Sequence, residues 1–402
     1  MENRLLHTPE GVRDIYNTEC EKKQVLQNRL FSVLKQYGYQ AIETPTFEYF
    51  DVFSREVGTT ASKELFKFFD REGNTLVMRP DFTPSIARSA AKYYHDEDMP
   101  IRFGYMGNTF INHLSLQGRL KETTQLGAEL IGDDSVNGDA EMIALMIRCL
   151  KTAGLKEFQV SIGHMDFFKG LTQAAQLEED TEYELRELIS NKNPFGVEEL
   201  LAEHNIPRNI KECLKMTPEF FGSIDMLAKA KEMAGNERSK AALERLEAVY
   251  AALKVYGVED YVTFDLGMVS KYKYYTGVIF KAYTYGVGEA LITGGRYDGL
   301  LKHFGKDAAA IGCVLMVNQL LAALSRQKIA IDTEQDAILL VYEADGAEEA
   351  VRKAEELRGE GRKAALLMRK ENHTLEDCIA YGKRNGFGTI YHVAPEGKVT
   401  EQ

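Results

Sequence analysis

Apolar residues recur at helical spacing near the start of the chain. Within residues 19–37 the apolar positions include Leu26, Leu30 and Leu34, and the stretch ends at Gly38. Residues three or four positions apart lie on one face of a helix, and glycine commonly follows a helix end. The pattern therefore predicts an amphipathic helix over residues 19–37.

Short strand-like segments, separated by polar turns, follow this helix. Two pairs indicate hairpins, residues 65–69 with 75–78 and residues 102–110 with 123–131. The other predicted strands are 39–44, 261–265 and 276–283, and further helices are predicted over 84–94, 139–153 and 312–325. Hairpin strands backed by helices indicate an α+β fold with a mostly antiparallel sheet flanked by helices.

Two later stretches have a different pattern. Residues 166–258 are charged and helix-rich, with breaks at Pro194 and Pro207, which indicates a helical insertion. The end of the chain alternates strands at 337–342, 364–368 and 389–393 with helices at 348–359 and 374–385. The predicted domains are a core (1–165 and 259–328), a helical insertion (166–258) and a small C-terminal α/β domain (335–402).

Composition narrows the class of protein. No apolar run in the 402 residues approaches the roughly 20 that span a bilayer, and the polar N-terminus is unlike a signal peptide. Five scattered cysteines fit free thiols in the cytoplasm. Lys and Arg number 49 against 61 Asp and Glu, a net charge of −12 that disfavours binding to a long stretch of nucleic acid.

Several polar side chains could hold a small ligand. Asp81 and Thr83 are two positions apart, so both could face one side of an extended segment. Gln125 and Glu129 are an even number apart on a predicted strand, and thus on one face. These segments supply carboxylates, an amide and a hydroxyl as hydrogen-bonding groups.

Aromatic side chains flank two further segments. Tyr274 and Tyr275 precede a predicted strand, and Tyr297 follows the flexible pair Gly294 and Gly295. Acceptors, an amide and phenols together suit a small zwitterion that carries an ammonium group and a polar ring. We find no glycine-rich phosphate loop and no His/Cys cluster in the sequence, so no metal or cofactor is expected.

Each of these residues also has a simpler structural interpretation. Asp81 could cap the helix over residues 84–94, and Glu129 could pair with Arg119 or Lys121 in a sheet. The tyrosines could be core aromatics, and the glycine pair could form a turn. Taken singly, none of them establishes a function.

The order and spacing of the segments resemble the histidyl-tRNA synthetase catalytic core over residues 8–325. The matching segments are 9–14 (Pro-Glu-Gly-Val-Arg-Asp), 38–45 (Gly-Tyr-Gln-Ala-Ile-Glu-Thr-Pro), 118–129 (Gly-Arg-Leu-Lys-Glu-Thr-Thr-Gln-Leu-Gly-Ala-Glu), 274–277 (Tyr-Tyr-Thr-Gly) and 294–300 (Gly-Gly-Arg-Tyr-Asp-Gly-Leu). The resemblance implies a class II aminoacyl-tRNA synthetase-like fold. Residues 38–45 are similar to the first class II motif, which implies a dimeric core.

The resemblance also implies a histidine pocket. The ligand ammonium would contact Asp81, Thr83 and Gln125, the two imidazole nitrogens would contact Glu129 and Tyr275, and Tyr274 and Tyr297 would wall the ring. Asp81 stands where the family usually has Glu. Arg119 and Lys271 are candidates to receive the ligand carboxylate.

This chain lacks three arginines that, in the family, contact ATP or take part in catalysis. Ile111, Ser270 and Gln319 stand where the family has arginine. A charge-assisted hydrogen bond is worth about 1.5–3 kcal/mol, so the three losses forfeit on the order of 5–9 kcal/mol. That is roughly 10⁴-fold or more in rate, and adenylation is not expected.

A synthetase body with a histidine pocket and no ATP site resembles the regulatory subunits of short-form ATP phosphoribosyltransferase. The resemblance implies a non-catalytic chain that joins a separate catalytic subunit in a hetero-oligomer. It also implies L-histidine as an allosteric ligand that mediates feedback on the first step of histidine biosynthesis. The alternatives are a divergent histidyl-tRNA synthetase and a histidine-binding regulatory module for another partner. Residues 335–402 resemble a shortened anticodon-binding domain.

Overall fold

The computed structural model describes residues 4–53, 60–113, 119–269, 274–333, 337–394 and 398–402. The chain divides into two compact units. The first unit comprises Met1–Arg13 and Gln27–Ala330, and the second comprises Asp14–Leu26 and Ile331–Gln402. The first unit thus includes both the predicted core and the predicted insertion, and the division between those two stays a prediction.

Two sheets form the framework of the first unit. Its strands are β1 (Gln40–Ala41), β2 (Phe47–Tyr49), β3 (Lys67–Phe69), β4 (Thr75–Met78), β5 (Ile101–Phe110), β6 (Glu122–Ile131), β7 (Gln159–His164), β8 (Phe221–Gly222), β9 (Val262–Asp265), β10 (Val278–Tyr283), β11 (Ile292–Arg296) and β12 (Ala310–Met316). Within the described residues, the larger sheet has the order β1-β5-β6-β12-β11-β10-β7-β9-β8. The smaller sheet has the order β2-β4-β3.

The larger sheet is mostly antiparallel, as the sequence predicts. Only the neighbours β1 and β5, and β7 and β9, run parallel among its described strands. The predicted pairing of residues 102–110 with 123–131 is confirmed by the long hairpin of β5 and β6. The predicted α+β fold with a mostly antiparallel sheet is therefore confirmed.

Helices cover the sheet and form a helix-rich stretch. They are α1 (Asn17–Gln36), which has residues in both units, α2 (Thr83–Tyr93), α3 (Val136–Thr152), α4 (Met165–Ala174), α5 (Glu179–Ser190), α6 (Pro194–Ala202), α7 (Arg208–Met216), α8 (Asp225–Met233), α9 (Glu237–Tyr256) and α10 (Val317–Arg326). Apolar residues of α3 such as Ile143 and Leu150 are fully buried. Helix α3 contacts both β12 and α9, and so lies between the sheet and the helix-rich stretch.

Three strands near the middle of the sheet differ from the sequence-based expectation. The predicted helix over residues 312–325 is wrong in its first turn, since β12 runs to Met316 and α10 begins at Val317. The expected flexible backbone at Gly294 and Gly295 is also wrong, because both lie within β11. Strand β7 was not predicted. Central strands are buried on both faces, and their unbroken apolar runs cannot be distinguished from buried helix by periodicity.

The second unit contains a four-stranded sheet with helices on it. Its elements are β13 (Ile338–Tyr342), α11 (Ala347–Gly359), β14 (Ala364–Met368), α12 (Leu375–Arg384), β15 (Thr389–Val393) and β16 (Val399–Glu401). Strands β13, β14 and β15 are parallel, and the unpredicted β16 pairs antiparallel with β15. Buried residues of β13 alternate between two clusters, one with α11 and one with α12. This is the α/β arrangement that the sequence predicts.

None of the helices in the described ranges is both long and apolar enough to cross a membrane.

A buried ion network connects α3 to the sheet and to α9. The carboxylate of Asp139 accepts hydrogen bonds from Arg296 at 2.6 and 2.9 Å and from Arg245 at 2.8 Å. Asp139 is fully buried and Arg296 is 5% exposed. Loss of one partner from such a network strands a buried charge, which is more costly than the net gain from forming the pair.

We expect Asp139→Asn to lower the free energy of unfolding by about 3–5 kcal/mol, because the buried Arg296 guanidinium would lose its nearest counter-ion and keep only the longer contact with Asp298. Urea unfolding curves measure the change. Asp307→Asn removes the acid of an exposed ion pair with Lys302 and should change stability by less than about 1 kcal/mol. Equal effects of the two substitutions would contradict the prediction.

Candidate ligand-binding site

A cavity of about 290 Å³ lies against β6, β11 and β12. The residues of the predicted pocket that line it are Asp81, Thr83, Gln125, Tyr274, Tyr275 and Tyr297. These residues come from segments far apart in the sequence, and the fold brings them together. Their roles toward a ligand stay predictions.

Glu129 lies beneath the cavity, with both of its carboxyl oxygens engaged. Thr83 Oγ1 donates to Oε1 at 2.7 Å, and the Tyr297 hydroxyl donates to Oε2 at 2.6 Å. Glu129 is 1% exposed, and burial raises its pKa to about 8 despite these two hydrogen bonds. The nearby Asp81 carboxylate contributes to this rise of the pKa. The alternative pairing of Glu129 with Arg119 or Lys121 is wrong, because its hydrogen bonds go to Thr83 and Tyr297.

The strand register leaves room for this carboxyl group. Gly312 is the partner of Glu129 in the pairing of β6 with β12, and a Cβ atom at Gly312 would overlap the Glu129 carboxylate. On the other side of β6, Gly127 is paired with Tyr105, and a Cβ atom there would overlap the tyrosine ring. Glycine is therefore required at both positions for the polar side chains to fit against the sheet.

Two buried polar atoms near the cavity have no hydrogen-bond partner within the described ranges. They are Oε1 of Gln125 and the hydroxyl of Tyr105. Buried polar groups in folded proteins are nearly always hydrogen-bonded. Gln125 lines the cavity, so its Oε1 can accept a bond from a bound molecule, whereas Tyr105 is not among the described lining residues. Tyr105 was missed by the sequence analysis, although its position opposite Gly127 follows from the hairpin register.

Asp81 and Thr83 reach the cavity differently from the sequence-based expectation. The prediction that they share one face of an extended segment is wrong, because Thr83 is the first residue of α2. Asp81 precedes the helix and accepts the backbone N–H of Thr83 at 3.3 Å. The alternative interpretation of Asp81 as the cap of this helix is wrong, because Phe82 is the N-cap residue of α2. Asp81 lines the cavity.

The three tyrosines form one aromatic wall. The ring centroids of Tyr274 and Tyr275 are 4.6 Å apart, and those of Tyr274 and Tyr297 are 6.1 Å apart with nearly perpendicular planes. The backbone carbonyl of Tyr275 accepts a hydrogen bond from Lys169 Nζ at 3.0 Å. This hydrogen bond connects the aromatic wall to α4.

Two of the three positions that depart from the synthetase pattern, Ile111 and Gln319, belong to the described residues. Ile111 lines the cavity and presents an apolar side chain there. Gln319 Nε2 donates at 2.7 Å to Glu289, an acidic lining residue that the sequence analysis missed. Ser270 and Lys271 lie outside the described residues.

Arg119, the candidate partner for a ligand carboxylate, is an indirect neighbour of the cavity. Its Nε lies 3.5 Å from Oε1 of Glu289, and both side chains are about half exposed. Arg119 is not among the described residues that line the cavity. Its proposed role toward a ligand carboxylate stays a prediction.

The part of the chain that the structure describes contains no group of three His, Cys, Asp or Glu residues that could hold a metal ion. The cavity instead combines carboxyl, amide, hydroxyl and phenol groups around a partly apolar space. That donor set suits a small amine or amino acid with a hydrogen-bonding ring.

Comparison with known proteins places the chain among two related groups. The sequence profile described as histidyl-tRNA synthetase matches residues 11–320. The chain is 39% identical to a protein of Acetivibrio thermocellus and 36% identical to one of Ruminiclostridium cellulolyticum, in each case over 98% of this chain and 94% of the relative. Both relatives are named ATP phosphoribosyltransferase regulatory subunit.

A solved structure agrees with these relatives. It is described as an ATP phosphoribosyltransferase regulatory subunit/histidyl-tRNA synthetase from Bacillus halodurans. It superposes with a TM-score of 0.86 at 31% identity, over 97% of this chain and 98% of that one. The similarity therefore extends over nearly the whole length of both chains.

The raised pKa of Glu129 gives stability a predictable dependence on pH. The folded chain keeps this proton up to about pH 8, whereas the unfolded chain releases it near the ordinary carboxyl pKa. The contribution of the group is thus present at low pH and is lost as pH rises toward 8. We expect Glu129→Gln to remove part of the decline in unfolding free energy across this range, at most about 1.4 kcal/mol per pH unit.

Urea unfolding curves at several pH values check this prediction. The matched control is Glu198→Gln, because Glu198 is exposed and its Lys215 partner lowers its pKa. The control should leave the pH dependence between about 5 and 8 unchanged. A Glu129→Gln profile parallel to that of the parent chain would show that Glu129 does not titrate in this range.

Proposed function

Because the chain belongs to the family of ATP phosphoribosyltransferase regulatory subunits, we propose that it binds L-histidine and adjusts a separate catalytic ATP phosphoribosyltransferase chain accordingly. The ligand would act as a feedback signal on the first step of histidine biosynthesis. The proposed assembly is a cytoplasmic hetero-oligomer built around a dimeric core of this chain.

The observation that carries the proposal is the polar floor and aromatic wall of one cavity. A neutral imidazole has one donor and one acceptor nitrogen, and it needs two partners of matching kind. Glu129 and the Tyr275 hydroxyl would supply them, while Tyr274 and Tyr297 wall the ring. Ionised or protonated, the Glu129 carboxyl can form one of these bonds.

The ligand ammonium would lie among Asp81, Thr83 and Gln125. The Oε1 atom of Gln125, buried and without a partner in the described part of the chain, can accept an ammonium N–H. Asp81 adds a carboxylate, and hydrogen bonds between opposite charges are stronger than neutral ones. These groups favour a free amine over a neutral amide.

Two of the positions where the synthetase family has arginine carry no cation in the described part of the chain. Ile111 cannot hold a phosphate, and Gln319 carries no charge and is hydrogen-bonded to an acidic residue. A guanidinium binds phosphate through two parallel hydrogen bonds that neither side chain can make. This agrees with a family named for regulation of a catalytic partner rather than for catalysis.

Regulation requires that histidine bind the active and inhibited assemblies with different affinity. A difference of about 1–3 kcal/mol, or roughly 5- to 150-fold in affinity, is typical of allosteric coupling. The binding energy available from several buried hydrogen bonds is ample for such a difference.

The experiment that tests the function is phosphoribosyl-ATP formation by the cognate catalytic subunit, with and without this chain, across a histidine titration. We expect activity to depend on this chain and histidine to suppress it. Unchanged activity and unchanged histidine sensitivity would rule out the proposal. Histidine-dependent ATP–pyrophosphate exchange by the pure chain would instead indicate a divergent synthetase.

We expect Glu129→Ala and Gln125→Ala each to weaken histidine binding by about 10- to 100-fold, because each removes a buried hydrogen-bonding partner of the ligand. Isothermal titration calorimetry on the full chain measures the affinity. Asp307→Asn, at an exposed pair away from the cavity, is the control and should bind histidine normally. Normal histidine affinity in both cavity variants would show that the ligand binds elsewhere.

A further inference from the structure

Glu289 is an acidic residue of the cavity for which the synthetase resemblance implies no role. It lies in the connection between β10 and β11 and lines the cavity. Gln319 donates to its Oε2 at 2.7 Å, and Arg119 Nε lies 3.5 Å from its Oε1. The carboxylate is thus held in place from one side by an amide and from the other by a guanidinium.

Negative charge dominates the cavity. Asp81 and Glu289 line it, whereas none of the described lining residues is Lys, Arg or His. The Glu129 carboxyl beneath the cavity keeps its proton up to about pH 8 and adds no charge at neutral pH. Arg119 compensates Glu289 only in part, because the pair is about half exposed and therefore screened by water. An anionic group that entered the cavity would come close to the Glu289 carboxylate.

The cavity is small enough that every group of a bound ligand lies close to the Glu289 carboxylate. A sphere of 290 Å³ is about 8 Å across, so any substituent of a ring-bound ligand comes within about that distance of Glu289. Two like charges at such separations repel by about 1–2 kcal/mol at the effective dielectric constant of a protein surface. This corresponds to roughly tenfold in affinity for each negative charge, so a phosphate group, with a charge of about −1.5 to −2, is disfavoured more than the single carboxylate of an amino acid.

We propose that Glu289 is a specificity-determining residue that excludes phosphate-bearing ligands from the cavity while it admits small imidazole amines and amino acids. The inference rests on the proposed histidine-binding function and extends it to the choice between ligands. A histidine sensor attached to an enzyme that uses ATP must not respond to ATP itself. Glu289 supplies that discrimination by repulsion, in addition to the absence of guanidinium groups at Ile111 and Gln319.

A purely structural role of Glu289 predicts a different outcome. If Glu289 only anchors Gln319 and Arg119, its loss would loosen the loop and weaken every ligand alike. If its charge excludes phosphate, its loss would create affinity that the parent chain lacks. A gain of binding for one ligand class is a readout that simple loosening does not produce.

The test compares histidinol with histidinol phosphate, two imidazole amines that differ only in the phosphate group. Calorimetry on the full chain at low ionic strength gives the ratio of their affinities. In the parent chain we expect histidinol to bind at least about tenfold more tightly. Glu289→Gln should reduce this ratio by about tenfold or more, mainly by a gain in binding of the phosphate ester.

Three further variants separate charge from structure. Glu289→Asp keeps the charge and should keep the discrimination. Gln319→Ala removes the hydrogen bond to Glu289 but not the charge, and should also keep it. Glu198→Gln, the same substitution at an exposed ion pair with Lys215, should leave both affinities unchanged. Added salt should reduce the discrimination of the parent chain, because screening weakens charge repulsion.

Two results would overturn the inference in distinguishable ways. If histidinol and histidine bind the parent chain but Glu289→Gln leaves the ratio unchanged, Glu289 does not select ligands and the proposed function stands. If neither compound binds the parent chain, the proposed function falls and this inference falls with it.

Discussion

The Glu129 carboxyl group lies beneath the cavity at 1% exposure, where an isolated charge would cost several kcal/mol. Two O–H donors and a glycine on the neighbouring strand make its burial possible. These partners belong to the first residue of α2, to the residue that follows β11 and to β12. The start of α2, the turn after β11 and strand β12 must therefore all lie next to Glu129 for its carboxyl group to be buried with both oxygens hydrogen-bonded.

A second buried group fixes the turn that carries Tyr297. Its neighbour Arg296 is bound to Asp139 of α3, and on the other side Asp298 accepts hydrogen bonds from Thr276 and from the backbone of Ala310. The Tyr297 hydroxyl is thus aimed at Glu129 by contacts on both sides of it. The ion network that connects α3, α9 and the sheet also orients the floor of the cavity.

The hairpins and the C-terminal α/β unit could be predicted from sequence because their patterns are local. Strands β5 and β6 are long segments on either side of a polar turn, and β14 and β15 match the predicted strands at both ends. Strands β11 and β12 could not be predicted, since they lie in the middle of the sheet and contain glycines that resemble turns. The periodic signal requires one solvated face, which central strands lack.

The candidate site was predicted in part. The six lining residues that the sequence indicated come together, whereas Glu289 and Tyr105 were missed. Glu289 follows an unremarkable turn, and Tyr105 resembles any core tyrosine until the strand register is known. Asp81 and Thr83 were identified through an incorrect geometry, because local spacing does not reveal where α2 begins. The sequence therefore identified which residues line the cavity, but it did not give the backbone conformation that places them there.

The polar residues around the cavity belong to two kinds of structure. Gln125 and Glu129 belong to β6, deep in the sheet, while Glu289 and Arg119 lie on half-exposed connections. Substitution of a half-exposed side chain usually changes stability little, whereas loss of a buried hydrogen-bonded group costs more. The charges on the connections can therefore vary between related chains more freely than the polar groups of the central strand.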